Sequence, residues 1–313
     1  MTDSYNLARK LHSLHARTVA LQFPEGLKRK APTLASFLRE EGFSVIVSGD
    51  PCYGACDLAL DTLRHADVLV HFGHTPLGTG DPRVIYEPYS IDFDPAVILN
   101  VLPSLESQTI GLVTTAQHVH LVPAMVAELA KAGITARTRQ GSRGCGEGQV
   151  LGCAFGAARI PEVTEILFVG TGIFHALGVH LATGKRVIAL DPLTGSVVAV
   201  NAERFLRQRH ALIEKARSAE IYGLIVSSKS GQERYKAAKD MAERYRNAIV
   251  IMVREVCPDE LLNLGFPAYV NFACPRLAYD DQSRFPAPLL TPQEFQILLG
   301  EREFSGYTID EME

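Results

Sequence analysis

The sequence of 313 residues has no uninterrupted apolar run of the about 20 residues that a membrane-spanning helix needs. Its opening stretch, MTDSYNLARKLHSLHARTVALQF, lacks a cationic segment followed by an apolar signal core. A membrane or secreted protein is therefore not expected, and a cytoplasmic location is. Low-complexity tracts and blocks of like charge are also missing, so order is expected almost end to end. Nor is there a broad basic stripe: 31 Lys and Arg mix along the chain with 35 Asp and Glu to a net charge of -4. Nucleic acid is a poor partner for such a surface.

Spacing motifs are missing too. The six cysteines include no C-x-x-C pair, the histidines offer no H-x-x-x-H, and the C-x-x-x-C-x-x-C run of ordinary radical S-adenosylmethionine enzymes is absent because Cys56 is followed by DLALD. A structural zinc site, which wants four ligands, has no set of that spacing to build on. GTGIFHALG (170–178) lacks the G-x-G-x-x-G spacing, and its glycines are read as permitting a tight turn. Without a secretion signal, the cysteines are buried thiols or metal and redox ligands and not a disulfide framework.

What is present is alternation. TVALQF (18–23), FSVIVS, ADVLVHFG (66–73) and RVIYEPY (83–89) read as strands, with KAPTLASFLREEGF as a helix between the first two. QTIGLVTTAQHVH (108–120), EILFVGTG (165–172) and KRVIALDP (185–192) repeat the order around the helix LVPAMVAELAKAGI, and RVIYEP and RVIALDP occupy the same place in the two units. A third copy runs from EIYGLIVSSKSGQ (220–232) through the helix QERYKAAKDMAERYR to NAIVIMV and PAYVNFACP. Near its end Thr291, Pro292 and Glu294 spell a capping box. The expectation is an α/β protein of three homologous domains with mostly parallel sheets, at 1–103, 104–205 and 206–313, in a pseudo-threefold arrangement.

Each unit holds two cysteines: Cys52 and Cys56, Cys145 and Cys153, Cys257 and Cys274. A metal at the junction of three equivalent units is most simply held by one thiolate from each, from loops at the same end of each sheet. Context selects Cys56 in YGACD and Cys153 in LGCAFG, where small neighbours allow close approach. Cys274 in NFACPR joins them, its following proline fixing the turn. A 4Fe–4S cluster on three thiolates leaves one iron open to a substrate. Plain burial of six structural thiols is the alternative.

ALQFPEGL, GDPCYGACD, ADVLVHFGHTPL, GQVLGC and ACPRLAYDD follow one another in the order and approximate spacing of a known family. From about residue 18 to about residue 285 the chain resembles the archaeal 2-(3-amino-3-carboxypropyl)histidine synthases of diphthamide biosynthesis. The resemblance implies a homodimer of three-domain chains, each with a 4Fe–4S cluster at the domain junction. Carried over to this sequence, it makes Cys56, Cys153 and Cys274 the cluster ligands. It implies that a reductant or electron-donor protein feeds the cluster, that S-adenosylmethionine is cleaved between sulfur and the methionine γ-carbon, and that 5'-methylthioadenosine leaves. The 3-amino-3-carboxypropyl radical then adds to imidazole C2 of one histidine of translation elongation factor 2. A non-catalytic partner subunit that passes electrons or presents the elongation factor is a rival, as is a metal-free α/β ligand-binding protein.

For S-adenosylmethionine, Ser227, Ser228, Lys229 and Gln232 in SSKSGQ offer donors at an expected helix N-terminus, with a plain polar cap as the alternative. TTAQH (114–118) and FPEG (23–26) hold the corresponding turns, and only one or two of the three can face one ligand. His71, His74, His118, His120, His175 and His180 fall in loops after strands, placed to take up the imidazole proton or to bond within the core. Asp280 and Asp281 beside Cys274 can orient a cationic ligand or cap a turn. Cys52, Cys145 and Cys257 are read as non-ligands.

Overall fold

Apolar strands gather into three sheets in the computed structural model of the chain, which describes residues 4–78 and 80–312. The first contains β1 (Thr18–Gln22), β2 (Ser44–Val47), β3 (Val68–Phe72) and β4 (Val84–Glu87), in the order β2-β1-β3-β4 and parallel throughout. The second contains β5 (Thr109–Thr114), β6 (Thr135–Arg137), β7 (Glu165–Val169), β8 (Arg186–Leu190) and β9 (Val197–Ala199). Its order is β6-β5-β7-β8-β9, with β9 antiparallel. The third repeats the first with β10 (Tyr222–Ser227), β11 (Ala248–Val253), β12 (Ala268–Asn271) and β13 (Leu289–Leu290), ordered β11-β10-β12-β13. The shared arrangement of the first four strands is the internal repeat that RVIYEP and RVIALDP hint at.

Central strands read as continuous apolar runs because both faces are covered. Every residue of β3, β7 and β10 is buried. The covering helices are α1 (Ser4–Ser13), α2 (Ala31–Glu40), α3 (Val122–Lys131), α4 (Phe174–Thr183), α5 (Glu203–Ala216), α6 (Tyr235–Arg244), α7 (Pro258–Leu264), α8 (Arg276–Tyr279) and α9 (Pro292–Leu298). α1 has no counterpart among the sequence expectations, although Leu7, Ala8 and Leu11 recur at helical spacing and bury into the first core. Each such leucine contributes about 1.5–3 kcal/mol. The segment Pro95–Ser104 is 3-10 helix, and its Ile98 and Val101 pack into the core of the second sheet.

The third unit is pinned by one buried ion pair. Thr291 and Glu294 form the expected capping box of α9, and the Glu294 carboxylate also accepts from Arg209 Nε of α5 at 2.7 Å. Burial works against the charge on Arg209, but Glu294 outweighs it and its pKa is raised. Remaining guanidinium donors go to the carbonyls of Ala278 at 2.5 Å and Leu289 at 2.9 Å, so neither charge is left uncompensated. α6 begins at Tyr235, three residues after the expected start, because Arg234 leaves the helix (φ -126°) and turns its side chain elsewhere. Its guanidinium binds the carbonyls of Phe272 and Ala273 at 3.1 and 3.0 Å and both oxygens of buried Asp310 at 2.8 Å. SSKSGQ is consequently a strand-to-helix turn ahead of α6.

Candidate functional site

Segments that follow the carboxyl ends of the strands line one cavity of about 580 Å³. Pro51 and Tyr53 to Cys56 come after β2, His74 after β3, Thr115 to Gln117 after β5, His175 after β7, Lys229 and Gln232 after β10, and Cys274 after β12. This is where α/β sheets gather ligands, and the volume falls within the range of about 300–1,000 Å³ for small-molecule sites. Cys56, Cys153 and Cys274 all line it, each carried by a different unit.

Each cysteine is held differently. Cys274 leaves β12 with its carbonyl accepting from Asn271 Nδ2 at 2.8 Å, while Asn271 Oδ1 accepts the Ala273 N–H at 3.0 Å. Cys153 sits in a tight turn in which the Leu151 N–H reaches the Ala154 carbonyl at 2.9 Å, and its own carbonyl accepts the Met312 N–H at 2.7 Å. Cys56 is held across the junction. Gln232 Nε2 donates to its sulfur at 3.3 Å, and Gly231 packs so closely that a Cβ there would lie 2.4 Å from the Cys56 Cα. Arg143 joins the units: Nη1 is 3.7 Å from the Cys153 sulfur and Nη2 donates to the Gly231 carbonyl at 3.0 Å. It is one of two non-glycine residues at positive φ among those described, and no sequence signal singles it out.

Burial lifts the Cys274 thiol to about 12, with neighbouring Cys153 and Cys56 adding to the rise. Cys153 is pushed up to about 11 by burial, against the pull of Arg143, and Cys56 rises by burial against its bond from Gln232. Cys153 and Cys274 each have a cysteine neighbour that disfavours their ionised form, which a shared cationic centre would relieve. Among the described residues, the one Cys/His/Asp/Glu trio whose ligand atoms all lie within 4.8 Å of one another is Cys52, His71 and His74. Three thiols with no spacing motif for a fourth protein ligand are a donor set that suits an iron–sulfur cluster, which takes thiolate ligands, better than a structural zinc ion, which wants four.

The remaining candidates divide. Lys229 and Gln232 reach the cavity, whereas Ser227 is buried with its hydroxyl on the Arg254 carbonyl at 3.1 Å, and neither Ser227 nor Ser228 lines the space. Lys229 bonds Asp57 at 2.9 Å and also Glu255; burial opposes its charge, but the two carboxylates hold its pKa up. TTAQH lines the cavity in part and FPEG does not. Asp280 and Asp281 line it with their own partners, Arg276 at 2.7 Å and Arg284 at 3.3 Å. Of the six histidines, His74 and His175 line the cavity. Burial, assisted by Arg276, pushes His175 down to about 4. His118 and His180 bond main-chain carbonyls and His120 pairs with Asp92. Cys52 and Cys145 are buried, their thiols pushed up to about 12 and about 11 by burial. Cys257 lines the cavity at the start of α7.

A family model described as "Putative diphthamide synthesis protein" matches residues 23–309. The chain belongs to the diphthamide synthesis family. Within this enzyme family it is 37% identical to the 2-(3-amino-3-carboxypropyl)histidine synthase of Pyrococcus horikoshii, over 98% of this chain and 92% of that protein. It is 33% identical to subunit 1 of the mouse (Mus musculus) synthase, over 93% of this chain and 70% of the mouse protein. The crystal structure of Dph2 from Pyrococcus horikoshii with a 4Fe-4S cluster superposes with a TM-score of 0.93 at 36% identity, covering 99% of this chain and 93% of that one. Among the described residues no helix is long and apolar enough to cross a membrane.

Proposed function

We propose that the chain is a 2-(3-amino-3-carboxypropyl)histidine synthase whose Cys56, Cys153 and Cys274 hold a 4Fe–4S cluster. The observation that carries this reading is the convergence of three thiols, one from each unit, on a single cavity, in a chain whose fold matches a relative solved with such a cluster. Thiolate is the ligand such clusters take, and three of them leave one iron open. When bound, the cluster supplies one electron to the sulfonium of S-adenosylmethionine, so that the bond from sulfur to the methionine γ-carbon breaks, 5'-methylthioadenosine leaves, and a 3-amino-3-carboxypropyl radical adds to imidazole C2 of a histidine of translation elongation factor 2.

The chain's own residues position and neutralise. Asp57 and Glu255 neutralise Lys229 beside the cavity, and Glu255, Asp280 and Asp281 are the lining carboxylates that can face the cationic sulfonium and ammonium. Gln232 divides its attention between the turn and Cys56, and with Lys229 it is our choice for contact with S-adenosylmethionine; Ser227 and Ser228 are not in that set. The reading carries with it a homodimer, a reductant and the elongation factor as partners. Anaerobically reconstituted protein, given a reductant, S-adenosylmethionine and the elongation factor, is expected to release 5'-methylthioadenosine. Release of 5'-deoxyadenosine instead, or of neither nucleoside, would sink the proposal.

A further inference from the structure

The trio Cys52, His71 and His74 lies beside the cavity and has no part in holding a cluster on Cys56, Cys153 and Cys274. Its hydrogen bonds determine where each proton sits. Gln22 is buried, donates from Nε2 to the Asp57 carbonyl at 2.6 Å, and accepts the Ala59 N–H at Oε1 at 3.1 Å. Both contacts orient the amide, so Oε1 is the atom that faces His71 Nδ1 at 2.8 Å. An amide oxygen only accepts, hence His71 carries its proton on Nδ1. His71 is completely buried, and burial, with His74 next to it, pushes it down to about 3. The neutral ring presents a lone pair at Nε2, which lies 2.9 Å from His74 Nδ1. His74 must therefore donate from Nδ1, and its own Nε2 is left as an acceptor.

That acceptor belongs to a residue lining the same cavity as the three cysteines. Among the described residues, no hydrogen bond is made to His74 Nε2. Gly73 at φ +83° sets up the position, since a Cβ there would lie 3.0 Å from Pro24. The ring is kept neutral by burial, while Asp57 favours the imidazolium once formed; His71 has no such carboxylate among its influences. A metal ion bound through His74 Nδ1 would have to displace the proton that the chain from Gln22 places there.

We propose that His74 is a catalytic residue, its Nε2 accepting the proton that leaves imidazole C2 of the target histidine, with His71 and Gln22 as positioning residues that fix its tautomer. The inference rests on the proposed function and adds to it. Addition of the radical forms the new bond at C2 with the C2–H still in place. Restoring the aromatic ring breaks that C–H bond: the proton goes to His74 Nε2, and the one remaining electron goes to a one-electron acceptor, the class to which the oxidised iron–sulfur centre belongs. Net, S-adenosylmethionine and histidine give the modified histidine, 5'-methylthioadenosine and one proton.

The test separates the two halves of the reaction. Reconstituted His74→Ala protein, with excess reductant, S-adenosylmethionine and the elongation factor, is assayed for nucleoside release by chromatography and for the modified histidine by peptide mass spectrometry. Nucleoside release within about threefold of wild type, loss of modified histidine by about 100-fold or more, and recovery on adding imidazole to the buffer are expected. Nitrogen-15 spectra of the cluster-free protein should show neutral His71 and His74 rings, both protonated at Nδ1. Modified histidine at the wild-type level, a loss that imidazole does not restore, an Nε2–H tautomer at His74, or stoichiometric zinc bound to the trio would each overturn the inference alone. A wild type that releases no 5'-methylthioadenosine would instead overturn the underlying function, and this inference with it.

Discussion

Cys274 and Cys56 face the same cavity, yet one is built into its own unit and the other is positioned by a neighbour. Cys274 ends a buried strand and is fixed by Asn271, while Arg234 of the same unit gathers the carbonyls around it. Cys56 lies on a loop of the first unit and takes its position from Gly231 and Gln232 of the third. Half of the site is thus a property of one sheet, and half is a property of how the sheets pack. Damage to the junction should reach Cys56 without disturbing the cores.

The largest effect separates the cysteines themselves. Replacing Cys56, Cys153 or Cys274 by Ala is expected to remove nearly all iron from the reconstituted protein, whereas Cys52→Ala, Cys145→Ala and Cys257→Ala keep it, as colorimetric iron analysis would show. Cys257 is the sharpest control because it also lines the cavity. Next comes the junction: Gly231→Ala forces a carbon against the Cys56 backbone and should cost most of the iron while circular dichroism stays native. Gly26→Ala, where a Cβ meets open space, should do neither.

A change confined to the third unit sharpens the contrast from the other side. Glu294→Ala strands Arg209 as a buried charge and is expected to lower stability by about 3–5 kcal/mol in denaturant titration, with iron per folded chain unchanged. The smallest effect is a pH slope. His71 is held near 3 and His175 near 4 when folded, so unfolding below the ordinary histidine value of 6.5 takes up their protons. Their contribution to stability is full above pH 6.5 and falls as pH drops, by about 1.4 kcal/mol per pH unit for each fully titrating ring. His71→Gln should flatten the slope between pH 6.5 and 5 by one such increment.

The same contrast explains what can be read in the sequence. Strands such as β3 and β10 are legible because burial on both faces demands continuous apolar runs, and the α9 cap because its chemistry is local. The choice of cysteines draws on local context, small neighbours at Cys56 and Cys153 and a proline after Cys274, reinforced by the family resemblance. His71 and His74 stand among the candidates, but Arg143, Gly231 and the bond from Gln22 that fixes the His71 tautomer are not legible, since each reaches a residue distant in sequence through packing that no local pattern encodes. Met312, whose N–H holds the Cys153 carbonyl, is the extreme case. SSKSGQ reads as donors at a helix N-terminus because nothing in its composition shows that Arg234 is needed elsewhere.

On the proposed function, one thiol from each of three units converges on one iron–sulfur cluster. Mössbauer spectroscopy of anaerobically reconstituted, iron-57-labelled protein, combined with iron determination, is the decisive measurement. A single 4Fe–4S species with about four irons per chain, the same kind of cluster with which the Pyrococcus horikoshii relative was crystallised, is the predicted result. A protein that remains iron-free after reconstitution, or one holding a single mononuclear iron, would contradict it.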